Sequence, residues 1–219
     1  AQVKIIISIM QMKFLAVIAL VFLAGSTVKA DVSLAQAMVE LREVLRLGSW
    51  VAAWDVRRNA DNAVCLYSNE LNAPTALGPA FARILSDPLY QFIAATMSAN
   101  GVPWDQFIEF ELKPALGYHS IVPSCTTSTF GGVLGLRNQL RGYFDENLVK
   151  STVDRLIATS SDFAQLQATI SENQAGIRTI RCSPEVNNVY NIKRNQGVDF
   201  EFVFEVVGII FGWGTISAC

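Results

Sequence analysis

Residues 86–117 open Ser86-Asp87-Pro88-Leu89-Tyr90-Gln91, reach Gly101-Val102 ten residues on, continue Pro103-Trp104-Asp105-Gln106-Phe107-Ile108-Glu109-Phe110 and close on Gly117. Residues 182–213 repeat the plan: Cys182-Ser183-Pro184-Glu185-Val186-Asn187, then Gly197-Val198, then Asp199-Phe200-Glu201-Phe202-Val203-Phe204-Glu205-Val206. A shift of 96 places Pro88 on Pro184, Gly101 on Gly197, Val102 on Val198, Trp104 on Phe200, Asp105 on Glu201 and Glu109 on Glu205 without a gap. The chain therefore reads as a duplicated unit of about a hundred residues.

The repeat decides the secondary structure. Alone, Phe200 to Val207 alternates and is rich in aromatic and β-branched residues, which favours a strand. Its partner instead has Trp104, Phe107, Ile108, Glu111 and Leu112 at helical spacing, with Asp105, Glu109 and Lys113 as a separate polar row. Copies of one unit share a fold, so both stretches are expected to be helices. Each follows a helix with proline in its first turn, at Pro88 or Pro184, and a glycine stop at Gly101 or Gly197.

Working outward, residues 12–30 have a basic start at Lys13, an apolar run from Phe14 to Ala24 and small residues at Val28-x-Ala30. They are expected to be a secretory signal peptide, preceded by a non-native leader at 1–11. Removing residues 1–30 takes away Lys4, Lys13 and Lys29 and no acid, so the net charge of −2 becomes −5. An acidic chain without a basic run gives nucleic acid nothing to hold. Cys65, Cys125, Cys182 and Cys219 all lie in the mature part; an even number in a secreted chain implies two disulfides, with three pairings open.

Ser33 caps a helix through Leu47 that Gly48 ends, and helical pattern resumes over Trp50–Arg58 and Asp61–Leu71. Asn72-Ala73-Pro74 breaks the chain before a short helix over Pro79–Leu85. After the duplicated element, residues 118–131 form a linker. The second unit begins with Val133–Phe144; Asp145 caps a helix to about Thr159, Asp162 caps the next to about Glu172, and a short helix lies around Ile177–Ile180. The expected fold class is all-α, with unit 1 at 31–117 and unit 2 at 132–219.

Gly135-Leu136-Arg137 through Phe144, Leu156-Ile157-Ala158-Thr159-Ser160-Ser161-Asp162-Phe163, Ser183-Pro184-Glu185-Val186, and Gly197-Val198-Asp199 ending in Phe211-Gly212-Trp213-Gly214 resemble the insect allergen-related repeat family. That family includes cockroach allergen repeats, midgut microvillar proteins of blood-feeding insects and nitrile-specifier proteins. The resemblance implies two tandem helical units closing into a hollow capsule whose apolar interior holds fatty acids or phospholipids. It also implies a secreted protein of the gut lumen or microvillar surface, in transient contact with membranes. Two other functions come with it: detoxification of the nitrile-specifier type, and membrane lysis through lipid exchange.

The closing helices carry the chemistry. From Val198 to Trp213 only Asp199, Glu201 and Glu205 are charged, so a helix there is apolar round most of its circumference. Such a helix is either a central core helix or faces something greasy on a second side. With the resemblance, Trp104, Phe107, Ile108, Phe200, Val203, Phe204, Val207 and Phe211 are the expected cavity lining, the bound lipid being the ligand and no cofactor or metal being needed. The acid rows Asp105/Glu109 and Glu201/Glu205 are expected to be solvated, and Arg178, Arg181, Lys193 and Arg194 to be ordinary surface charge rather than head-group contacts.

Enzymatic patterns are thin. His119 is the only histidine and is expected to be an exposed loop residue. There is no Gly-x-Ser-x-Gly, Cys-x-x-Cys, histidine pair or Gly-x-Gly-x-x-Gly. No enzyme is expected.

Overall fold

The structure, a computed structural model, describes residues 31–119, 124–125, 127–198, 201–213 and 219, with only the backbone for 201–204. The chain divides into residues 1–31 and 32–219. Of the first part only Asp31 is described, so the expected leader and signal peptide lie outside the described residues.

The described residues of 32–219 are all-helical, with no strand among them. Six helices precede the linker: α1 Leu34–Leu45, α2 Leu47–Ala60, α3 Asn62–Leu71, α4 Leu77–Leu85, α5 Pro88–Ala99, and α6, in which Trp104–Phe107, Ile108–Leu112 and Lys113–Ala115 run on from one another. Six follow it: α7 Gly132–Gly142, α8 Glu146–Thr159, α9 Ser161–Glu172, α10 Gln174–Arg181, α11 Pro184–Asn195 and α12 Glu201–Phe211. Stretch 201–211 is thus a helix despite its alternating sequence. No described helix is long and apolar enough to cross a membrane.

Short polar side chains start these helices by accepting orphan N–H groups. Ser33 accepts from Gln36, Asp87 from Leu89 and Asp145 from Leu148. The two matched stretches share a backbone feature: α5 and α11 each begin on proline and stop at a left-handed glycine, Gly101 at φ 73° and Gly197 at φ 71°. In both, the next residue's N–H reaches back to close the turn, from Val102 to the Met97 carbonyl at 3.0 Å and from Val198 to that of Lys193 at 2.9 Å.

Three local expectations are corrected. The first helix stops at Arg46, not Gly48: Arg46 sits at φ 51°, and Gly48 lies inside the first turn of α2. A left-handed non-glycine residue costs roughly 1–2 kcal/mol. The sharp turn lets Leu45 and Leu47, on either side of it, both reach the apolar interior, which offsets that cost. The cap of α9 is Ser160, whose hydroxyl accepts from Phe163 N–H at 3.3 Å; Asp162 is in the first turn instead. Finally, α6 is widened to a π-turn over Ile108–Leu112, with Lys113 N–H bonded to the Ile108 carbonyl. Pro114 follows at once, has no N–H to give, and its ring crowds the preceding turn; the wide turn accommodates it.

The helices of the two stretches interleave rather than forming separate bodies. Helix α1 packs on α8 and α9, and α7 packs on α2 and α3; α6 packs on α2 and α12 on α8; α4 packs on α11. One core gathers Leu34, Leu41, Met97, Val149, Leu156 and Phe163, and the other Trp54, Val64, Leu71, Leu136 and Val189, so each draws on both stretches. The open question of disulfide pairing is decided as Cys65–Cys125 and Cys182–Cys219. The first ties α3 to the linker, the second the α10–α11 junction to residue 219.

Candidate functional site

Between α1, α2, α5, α6, α10 and α12 lies a chamber of about 290 Å³. That is near the lower end of the roughly 300–1,000 Å³ usual for ligand pockets. Helices α6 and α12 are each apolar over more of their circumference than one packing partner covers. Helix α6 packs on α2 with one side and turns Trp104, Phe107 and Ile108 inward; the Trp104 and Phe107 rings stack at 5.2 Å. Helix α12 packs on α8 and α9 and presents Val207, Ile210 and Phe211, with Trp213 stacked on Phe211 at 6.1 Å.

Of the eight expected lining residues, Trp104, Phe107, Ile108, Val207 and Phe211 stand in this wall. Phe200 lies outside the described residues, as do the side chains of Val203 and Phe204. The rest of the wall was not anticipated. It includes Met38, Leu41 and Leu45 on α1, Trp50 on α2, Leu89 and Ile93 on α5, and Ile177 and Ile180 on α10. These residues show ordinary amphipathic spacing, and nothing in that spacing separates a stripe facing a solid core from one facing a void.

The chamber's polar features are few. Arg42 is the charged residue in its wall among the described residues; its Nε donates to Glu111 Oε2 at 2.8 Å and its Nη2 to Oε1 of the same carboxylate. Tyr90 reaches the wall from α5. Burial raises the pKa of its hydroxyl; the Trp104 indole N–H beside it works the other way, and the Asp105 and Glu109 charges raise it further, leaving it above its ordinary value.

Helix α5 is the thinly covered side. Met97 is its one fully buried residue, Phe92 is 45% exposed, and Leu89, Tyr90 and Ile93 are half-buried. Its partner in the repeat, α11, packs on α4 and buries Val186, Val189 and Lys193.

Asp105, Glu109 and Glu205 are solvent-exposed as expected, while the side chain of Glu201 lies outside the described residues. The basic residues divide. Arg178 and Arg194 are exposed, but Arg181 and Lys193 are buried. Arg181 lies over the Tyr190 ring and donates to the Cys219 sulfur, and Lys193 Nζ donates to the Leu116 carbonyl at 3.1 Å. Lys193 occupies the position of Met97 in the repeat, where α11 packs inward, and burial pushes its ammonium down to about 8.

His119 is corrected too: its side chain is 6% exposed, not a solvated loop group. The ring meets Trp54 edge-on at 6.0 Å, with Nδ1 3.9 Å from Asp55 Oδ1. Burial and the nearby Arg58 charge, against the opposing pull of Asp55, hold it down to about 4. Among the described residues no group of histidine, cysteine and carboxylate side chains is placed to hold a metal.

The family model described as "Insect allergen related repeat, nitrile-specifier detoxification" matches residues 80–204, more than half of the 219. No curated protein and no solved structure matches the chain.

Proposed function

Because the chain belongs to the insect allergen related repeat family and its helices line an apolar chamber, we propose that it binds fatty acyl lipid, fatty acids or the acyl chains of phospholipids, in that chamber. The observation that carries the reading is the wall: helices from both copies of the repeat turn aromatic and aliphatic side chains toward one space instead of filling it. Each acyl CH₂ moved from water to such a wall gains about 0.8 kcal/mol, so the alkyl chain is held without a specific polar motif and selectivity among chains is broad. Helix α5, with the least cover, is where a chain passes in and out.

The two disulfides fit an oxidising compartment. We place the protein outside the cell, in the gut lumen or at the microvillar surface, carrying or buffering digested lipid. No step of this role requires a catalytic residue. Organic extraction of the purified secreted protein followed by mass spectrometry tests it. Stoichiometric acyl lipid is expected; a clean protein that also refuses fluorescent acyl probes overturns the reading. The second reading, redirection of reactive breakdown products toward nitriles, has the family description behind it and is tested by incubation with glucosinolate hydrolysis mixtures.

A further inference from the structure

We propose that, among acyl lipids, this chamber prefers those with an uncharged head, an alcohol, ester or glyceride, over the free carboxylate. The inference rests on the acyl-binding reading above and concerns the head group alone.

A fatty carboxylate drawn into an apolar chamber needs a positive partner, because a buried charge without one is strongly disfavoured. Arg42 is the one candidate in the described wall. The undescribed residues between 32 and 219 carry no Lys, Arg or His, so they add none. Arg42 is already committed. Two of its N–H groups meet the two oxygens of Glu111 side by side, the arrangement that neutralises a guanidinium most completely. Turning Arg42 to a ligand carboxylate would strand Glu111, which is itself only 29% exposed.

Other charges nearby work the same way. Lys113, on the same helix as Glu111, is paired with Glu109 and lies over the Phe81 and Tyr118 rings. Around Tyr90 the neighbouring charges are Asp105 and Glu109, which disfavour its own phenolate. A ligand carboxylate beside Tyr90 meets the same repulsion. The Tyr90 hydroxyl, kept protonated, suits a neutral oxygen, to which it can both donate and accept.

The test uses the secreted, disulfide-bonded protein freed of lipid, with dodecanol, methyl dodecanoate and dodecanoate competing against a fluorescent acyl probe at about pH 8, where a free carboxyl is ionised. Dodecanol and the ester are expected to bind about tenfold or more tightly than dodecanoate. Glu111→Gln, which frees Arg42, should raise dodecanoate affinity about tenfold and leave dodecanol within about twofold. The double variant Arg42→Gln/Glu111→Gln should leave both near wild type, and circular dichroism checks that each variant is helical. If Glu111→Gln does not fold, the wild-type series decides. Dodecanoate binding as tightly as dodecanol overturns the head-group preference alone and puts a cation such as Arg178 at the mouth. Failure of all three ligands to bind overturns the acyl reading, and the preference with it.

Discussion

The backbone N–H of Gly132 donates to Asp61 Oδ2 at 2.6 Å, across 71 residues of chain. Asp61 is fully buried, and its carboxylate also accepts from Phe130, Ala63 and Val64. One side chain therefore caps α3 and fixes the start of α7. Burial by itself would raise its pKa; hydrogen bonds from Gly132, Phe130, Ala63 and Val64 outweigh that and hold it below its ordinary value. Asp61→Ala removes the shared acceptor of four N–H groups, one bond buried and three part-buried, and should cost roughly 1–3 kcal/mol, read as a lower urea midpoint. An unchanged midpoint would show that the linker and α3 are held by other means.

Gly117 sits at φ 95°, and a Cβ there would lie 2.8 Å from the Trp54 ring. Trp54 cannot yield, since it is 2% exposed, stacks on Tyr67 and donates its indole N–H to the Ala115 carbonyl. Gly117→Ala should destabilise by roughly 2–4 kcal/mol, from backbone strain and overpacking together. Thermal melts of the two proteins measure it.

His119 predicts a pH dependence. Its folded pKa, about 4, lies below its ordinary 6.5, so the fold favours the neutral ring. This contribution is complete above pH 6.5 and is lost as pH falls from 6.5 toward 4. Urea midpoints should decline across that window, and His119→Gln should flatten the decline.

Lys193 acts at the other end of the scale. Its folded value of about 8 is below its ordinary 10.5, so the buried ammonium opposes folding below pH 8, and stability should rise as pH climbs from 8 to 10.5. Lys193→Met, matching Met97 in the other copy, should abolish that rise and stabilise the protein near neutral pH by up to about 3 kcal/mol. A destabilised variant would mean that the bond to the Leu116 carbonyl outweighs the buried charge.

Val207, half-buried in the chamber wall, is the place to close the chamber. Val207→Trp adds bulk where space exists, so the helical circular dichroism should persist while acyl probe uptake falls about tenfold or more. Full uptake by a folded variant would place the ligand elsewhere.

The sequence by itself determined the all-helical fold. Proline and glycine at matched positions set where α5 and α11 start and stop, and the helical spacing of Trp104, Phe107 and Ile108 carried the ambiguous Phe200–Val207 stretch with it. Short-range chemistry of this kind is written within a few residues. Local sequence misleads where a distant demand wins: the turn at Arg46 serves Leu45 and Leu47 together, and nothing beside His119 and Lys193 in the chain announces that their side chains are buried. Only the tertiary structure decided the disulfide pairing, the interleaving of the two stretches, and which apolar stripes meet each other and which enclose a space. Those depend on contacts between residues far apart in the chain, 37 apart for Cys182 with Cys219, 69 for Arg42 with Glu111, 71 for Asp61 with Gly132 and 115 for Arg155 with Glu40. A hydrophobic periodicity specifies that a face will be covered, and the fold supplies what covers it.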